Sequence, residues 1–299
     1  MSAITHRQII ANLDRHERER LLARSDRAGL LHLAGHLGAL ALSGTCIAMA
    51  WPLWQLALVV HGILLIFLFT LLHECVHKTP FASPRLNTVM AAICGFVLLL
   101  PANWFTYFHF AHHRHTHDPK RDPELAVPKP KTTWQYIFYL SGLPVWWSQL
   151  RVLMVNAAGN SQETFISAEK RPKIHREARI SIVLYIVAAV VSIAVGSVAL
   201  IWLWVVPIIF GQPFLRGYLL AEHTLCPHVS NMLENSRTTF TGTLVRFVAW
   251  NMPYHAEHHA YPAVPFHKLP EFHQIVKRHL RETEKGYVRF HHRYAGQLS

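Results

Sequence analysis

Two long stretches of this chain carry no charge at all, and they constrain its fold more than any other feature. No Asp, Glu, Lys or Arg occurs between Arg27 and Glu74, nor between Arg179 and Arg216. A helix that crosses a bilayer needs about 20 mostly apolar residues, so each stretch has room for two. The first reads as spans over 30–50 and 53–73, turning at Trp51-Pro52-Leu53-Trp54; the second reads as 180–196 and 200–217, turning near Gly196-Ser197. Both tips lack charge and both bases carry it. The first 29 residues hold six arginines (Arg7, Arg15, Arg18, Arg20, Arg24, Arg27), and 105–133 and 156–179 hold five Lys or Arg each. The positive-inside rule places these segments and both termini on the cytoplasmic side. The expected fold is therefore an all-α integral membrane protein of the inner, cytoplasmic membrane, with four transmembrane helices in two hairpins under a cytoplasmic helical cap.

Composition excludes other classes. With 51% apolar and 15% charged residues the chain is not disordered, and four cysteines in 299 residues make no disulfide framework. The net charge of +12 is spread among the membrane blocks, which reads as an orientation signal and an attraction to anionic headgroups rather than nucleic-acid binding. The first apolar run begins near residue 28 and outlasts a signal-peptide core of roughly 7–15 residues. Asp14, Glu17, Glu19 and Asp26 argue against a transit peptide, which would be acid-poor. One membrane domain over 1–299 is expected: a cytoplasmic segment at 1–29, hairpins at 30–73 and 180–217, and mainly cytoplasmic or interfacial chain at 74–179 and 218–299.

A third uncharged stretch, Leu86 to Phe108, contains Pro101 as a helix break. A single crossing there would put the histidines on its two sides in opposite compartments, so it is expected to re-enter or to lie in the interface. The aromatic load of 132–150 (Trp134, Tyr136, Tyr139, Trp146, Trp147) fits an interfacial segment or a buried helix of the cap. Leu269, Phe272, Ile275, Val276 and Leu280 recur at helical spacing, predicting an amphipathic helix over 268–284; a weaker pattern covers 5–24.

The polar chemistry is concentrated in histidine, of which there are 23. Three clusters stand out: His73 and His77 in HECVH; His109, His112 and His113 in HFAHH; His255, His258 and His259 in HAEHH. Positions i, i+3 and i+4 share a helix face, so each cluster can aim two or three imidazoles at one point. Imidazole suits iron, zinc, copper and nickel. The clusters supply eight imidazoles, too many for one ion and a natural number for two. His223, directly after the fourth span, is a ninth candidate ligand or else a hydrogen-bond donor behind one. His32, His36 and His61 read as packed side chains, and His6, His16, His291 and His292 as solvated ones. His73-Glu74-x-x-His77 also matches the zinc-protease pattern of two ligands and a general base, a reading that leaves six clustered histidines unused. A metal transporter would want polar residues inside the spans, and the hairpins carry no carboxylate there.

In order and spacing these clusters resemble the three histidine boxes of the membrane fatty acid desaturase and hydroxylase superfamily. Asp118-Pro119, Asp122-Pro123-Glu124 and Tyr261-Pro262-Ala263-Val264-Pro265 are similar to segments of many members, and the resemblance covers roughly 30–285. It implies a non-haem centre of two iron ions that activates dioxygen, the co-substrate, against an unactivated C–H bond. It also implies that His73, His77, His109, His112, His113, His255, His258 and His259 are the catalytic iron ligands, joined by His223. Glu74, Asp118, Asp122, Glu222 and Glu257 are candidates for orienting those imidazoles, with solvated and capping roles as alternatives. His115 and His117 follow the second box and leave its membership open at its end. Trp250-Asn251-Met252-Pro253-Tyr254, before the third box, reads as a turn or as a wall of the site. Neither flank has room for a fused haem-binding electron donor, so a separate partner is expected, ferredoxin-type by the resemblance. The reaction implied is desaturation of a fatty acyl chain of a lipid. Hydroxylation or ketolation of a fatty acyl, sphingoid, alkane or carotenoid chain is the alternative, because both begin with the same hydrogen abstraction.

Overall fold

The computed structural model describes residues 4–299 and is mostly helical. Among the described residues, four helical stretches are long and apolar enough to cross a membrane, each centred on one of the uncharged blocks. The first span lies in the helix Asp26–Ala48, whose start is capped by the Ser25 hydroxyl accepting the Ala28 N–H. The second is Trp54–His77, the third Ala168–Ala194 and the fourth Ile201–His223. The first hairpin turns where Ala50 and Leu53 adopt left-handed φ values of 48° and 67°, and the second turns at Gly196, with φ of 62°. On the third span Ile180, Val183, Leu184, Val187, Val190, Val191 and Ile193 are all exposed. A continuous apolar surface of that kind suits lipid hydrocarbon and not water.

The second span forms the centre of the membrane part, packed against the first and the fourth. Its Gly62 meets the fourth span so closely that a Cβ there would strike the Pro207 carbonyl, and a Cβ on Gly211 would strike the Gly62 carbonyl. Small residues permit this approach, and without a hydrophobic drive inside the bilayer it is close packing that holds helices together. Polar links complete the bundle. Ser43 Oγ lies 2.8 Å from His61 Nδ1, and His61 Nε2 lies 3.1 Å from the Leu203 carbonyl, joining three spans. His36 donates to the Leu64 carbonyl and His32 to the Phe247 carbonyl, both at 2.8 Å. These three histidines are packed, as expected.

The third uncharged stretch does not make a straight crossing. It forms two helices, Pro84–Val97 and Ala102–His115, bent by 99°. Fourteen residues give about 21 Å of helix, short of the roughly 30 Å hydrocarbon core. The bend frees carbonyl groups that need partners in an apolar setting. Tyr185 of the third span donates to the Phe96 carbonyl and Trp204 of the fourth to the Val97 carbonyl, both at 2.8 Å. Asn103 N–H donates to the Glu177 carboxylate at 3.0 Å. The chain therefore turns back, and the second histidine box returns to the end of the second span that carries the first.

The aromatic segment is a hairpin of two helices, Thr133–Leu140 and Leu143–Ala157, turning at Gly142. Leu143, Trp147, Leu150 and Met154 form an exposed stripe, with Trp134 80% and Trp147 72% accessible. These residues are not buried in a cap; their exposure fits a helix lying on the membrane interface. Two expectations fail locally. The helix predicted over 268–284 stops at Val276, because Arg281 N–H is drawn to the Leu233 carbonyl and Thr283–Glu284 pairs as a parallel strand with Thr238–Thr239. That small sheet is the one departure from helix among the described elements. The 5–24 segment is likewise two helices, His6–Asn12 and Arg15–Leu21, separated because Asp14 caps the second. His6 and His291 are not solvated: His6 N–H donates to Asn231 Oδ1, and His291 Nδ1 lies 2.7 Å from the Tyr136 hydroxyl.

The glycine contact yields a direct test. Gly62→Ala should cost about 1–3 kcal/mol by overpacking and lower the thermal midpoint of the detergent-solubilised protein. Gly38→Ala, whose Cβ meets nothing within 4 Å, should leave that midpoint unchanged.

Candidate metal centre

Four elements bring histidines to one place on the cap side of the bundle. His73 and His77 lie on the last turns of the second span, at Leu68–His77. His109, His112 and His113 lie on the inward-returning helix Ala102–His115, and His223 ends the fourth span. His255, His258 and His259 lie on the short buried helix His255–Ala260. All nine imidazoles predicted as ligands converge here.

They converge as two groups rather than three. His73, His77, His109, His113 and His258 each present a nitrogen within 4.8 Å of the others, and so do His112, His223 and His259. His255 joins the second group, its Nε2 2.9 Å from that of His223. The groups adjoin, since the His113 and His259 rings stack with centroids 4.1 Å apart. Boxes two and three are thus divided, where the sequence suggested that each box aims at one point. The cause is helical geometry. From position i, residue i+4 lies about 40° to one side and i+3 about 60° to the other. The i,i+4 pairs His109/His113 and His255/His259 each serve one group, and the i+3 residues His112 and His258 reach across to the other.

The nitrogen atoms fit metal ions and fit little else. His77 and His109 approach Nε2 to Nε2 at 2.8 Å, His113 and His258 at 3.2 Å, and His112 and His223 at 3.2 Å. Two nitrogens bound to one ion at about 2.1 Å stand roughly 3 Å apart. A pair of neutral imidazoles can share one proton, but packs of five and four cannot all be satisfied that way. Both nitrogens of His259, and Nδ1 of His73, His113 and His258, have no hydrogen-bond partner although they are buried. Burial, together with neighbouring imidazoles, holds His255, His258 and His259 well below the ordinary histidine range. They stand neutral with lone pairs free, the form that ligates a metal.

The groups behind the imidazoles set their tautomers. His112 donates from Nδ1 to Asp122 Oδ1 at 3.0 Å, and His223 from Nδ1 to the Asn235 carbonyl at 3.2 Å, which leaves both Nε2 atoms as free acceptors. Burial raises the Asp122 carboxyl, but the hydrogen bond and charge of His112 together with the His117 and Glu124 N–H groups outweigh it and hold Asp122 below its ordinary range. Glu222 Oε1 lies 3.3 Å from His255 Nδ1, and Glu74 Oε1 lies 3.8 Å from His258 Nδ1. Glu74 also accepts from Thr79 Oγ1 at 2.9 Å and from Phe266 N–H at 3.0 Å. It is fully buried behind the imidazoles, so it is not the free general base that the zinc-protease pattern requires. Two candidates lie elsewhere: Asp118 pairs with Arg121, and Glu257 binds His273 and Thr238. His115 and His117 belong to neither group. His117 is buried, with its N–H donating to Asp122 Oδ2 at 2.8 Å and its ring 4.5 Å from that of His228.

One residue that holds the site, Arg237, had no mark in the sequence. Arg237 is fully buried, donates to the Ala221 and Thr224 carbonyls and lies 5.0 Å over the Phe290 ring. It pins the end of the fourth span, and hence His223, to the cap. Trp250 of the turn before the third box is also fully buried and packs on His32 and Phe266. A cavity of about 460 Å³ opens beside both groups. His73 and His109 border it from the first group and His112 and His255 from the second, with Phe69, Trp104, Phe105 and Phe108 as apolar wall.

Equilibrium dialysis of the full-length protein against a divalent transition metal should give two ions per chain. Asp122→Asn should weaken the second of these about 10–100-fold and leave the first unchanged.

The comparisons with known proteins agree with this geometry. The chain is 24% identical over 230 residues to a sphingolipid delta(4)-desaturase of Komagataella phaffii, covering 71% of this chain and 60% of that protein. It is 25% identical over 226 residues to a sphingolipid delta(4)-desaturase of Drosophila melanogaster, covering 72% and 64%. It is 25% identical over 270 residues to a dihydrorhizobitoxine desaturase of Bradyrhizobium elkanii, covering 85% and 74%. The aligned part thus spans less than two thirds of the length of the first two. The profile described as "Fatty acid desaturase" matches residues 48–294, which takes in all three boxes and His223, and the chain belongs to the fatty acid desaturase family.

Proposed function

We propose that this protein is a membrane-bound di-iron oxidoreductase that uses dioxygen to desaturate an acyl chain of a lipid. The observation that carries the reading is the division of nine imidazoles, seven of them buried and two half-buried, into adjacent groups of five and four. His73, His77, His109, His113 and His258 would hold one iron ion and His112, His223, His255 and His259 a second, and the pair would supply the redox chemistry for dioxygen-dependent attack on a C–H bond. The protein's own residues hold His255, His258 and His259 neutral, orient His112 and His223 through Asp122 and the Asn235 carbonyl, and present the apolar cavity in which a chain can lie against both groups. The three relatives are each named as desaturases, which favours loss of a second hydrogen over capture of oxygen.

Desaturation by dioxygen consumes two electrons and two protons and releases two waters, so the chain needs a reductant; a separate one-electron carrier of ferredoxin type meets that need. The cap and spans share the ligands of each group, which supports one domain over 1–299. The basic segments that flank the hairpins support a cytoplasmic membrane with both termini and the histidine groups on the cytoplasmic side.

The test is mass spectrometry of lipids from aerobic cells making the protein, beside cells making His258→Ala. A new lipid two hydrogens lighter, absent with His258→Ala, is the expected result, along with iron as the bound metal in the wild-type protein. A product one oxygen heavier would replace desaturation with hydroxylation. Full activity in the membrane-inserted His258→Ala protein would overturn the ligand assignment.

A further inference from the structure

Arg216 is the first charge after the long uncharged run of the fourth span, and it faces inward. Arg216, Leu219 and Glu222 all line the cavity beside the histidine groups. With His223 they occupy positions i, i+3, i+6 and i+7, a single face of the helix. The cavity therefore runs along the fourth span, with Arg216 two turns, or about 10 Å of helix axis, from His223.

The guanidinium makes no direct ion pair in the protein, and its charge reaches Glu222 only at longer range. Its Nε is buried without a hydrogen-bond partner. Among the described residues no carboxylate lies within ion-pairing distance of it, and the acids that share the cavity face other groups. Glu222 lies 3.3 Å from His255 Nδ1, Glu163 accepts from Trp104 Nε1 at 3.1 Å, and Glu124 lies 3.9 Å from His112 Nδ1. Lys129 is the other cation that lines this cavity. A cation at a membrane helix end that merely snorkelled would turn outward to the headgroups. One that turns inward, beside an apolar cavity, is costly unless something binds it. A guanidinium fork matches the paired oxygens of a carboxylate or phosphate.

We propose that Arg216 anchors the oxyanion head of an amphiphilic substrate, a carboxylate or a phosphate, whose chain lies along the aromatic wall to the histidine groups. About 10 Å of helix axis then separates the anchoring residue from His223, which puts the reacting carbons toward the head and not at the far end of a long chain. This deepens the proposed function and rests on it only for the cavity being the substrate's.

The test is binding by the full-length, metal-loaded protein in phosphatidylcholine nanodiscs, measured without turnover. The probes are dodecanoate, dodecyl phosphate and dodecanol. The two oxyanions should bind about tenfold or more tightly than the alcohol, and the tighter of them names the head. Arg216→Gln should abolish that preference and leave dodecanol binding unchanged, Arg216→Lys should restore part of it, and Lys129→Gln should keep it. Equal binding of all three probes to the wild-type protein overturns the proposal, whether or not the Arg216 variants fold. So does a preference that survives Arg216→Gln or is lost in Lys129→Gln. Oxyanion binding through Arg216 without any unsaturated or oxygenated lipid product would uphold the anchor and overturn the proposed reaction. Product formation without the preference would do the reverse.

Discussion

The structure depends on buried imidazole nitrogens that have no partner but one another. A buried polar atom left unpaired costs about 1–3 kcal/mol, and this site gathers several, including both nitrogens of His259. A chain does not hold nine such rings together for stability. A metal ion in each group gives every facing lone pair a use, and the Nε2 separations of 2.8–3.2 Å already match two ligands on one ion. The site makes sense as a place where metals complete the fold.

The rest of the architecture brings the ligands together. The first box rides on the second span, the most enclosed helix of the bundle, whose position is set by the Gly62–Gly211 contact with the fourth. The second box arrives on a helix that turns back at residues 98–101, with the freed carbonyls taken by Tyr185 and Trp204. His223 is fixed by Arg237, which binds the last carbonyls of the fourth span from the cap. Both membrane hairpins and the cap therefore supply each other's missing polar partners, and none of the three makes the site without the others.

The surface hairpin connects this centre to the membrane. Leu143, Trp147, Leu150 and Met154 form its outer stripe, while Val145, Gln149 and Val152 on its other face line the cavity. The same helix thus meets the lipid and walls the space beside the histidines. For the amphiphile proposed as substrate, this arrangement would offer a path from the interface to the site, with Phe69, Phe105 and Phe108 as apolar wall for its chain.

The four spans, the break of the 86–108 stretch at Pro101 and the eight histidines of the three boxes were legible in the sequence, which left open whether that stretch re-enters or lies in the interface and whether His223 joins the boxes. Each of these is written in local patterns: absence of charge over membrane length, a proline, and imidazoles three and four residues apart. Only the tertiary structure decided how the histidines divide, because that depends on the angles at which separate helices cross. It also decided that Glu74 lies behind the imidazoles and Glu257 serves His273, that the 268–284 helix ends at Val276 to free a strand, and that Arg216 faces a cavity without a direct ion pair. Those outcomes rest on partners up to 192 residues apart, as for Glu74 and Phe266, and no local spacing encodes such a pair. The chemistry was legible because metal ligands come in short helical repeats. Its supports were not, since carbonyls, buried amides and a single arginine acquire their roles only from what the folded chain sets beside them.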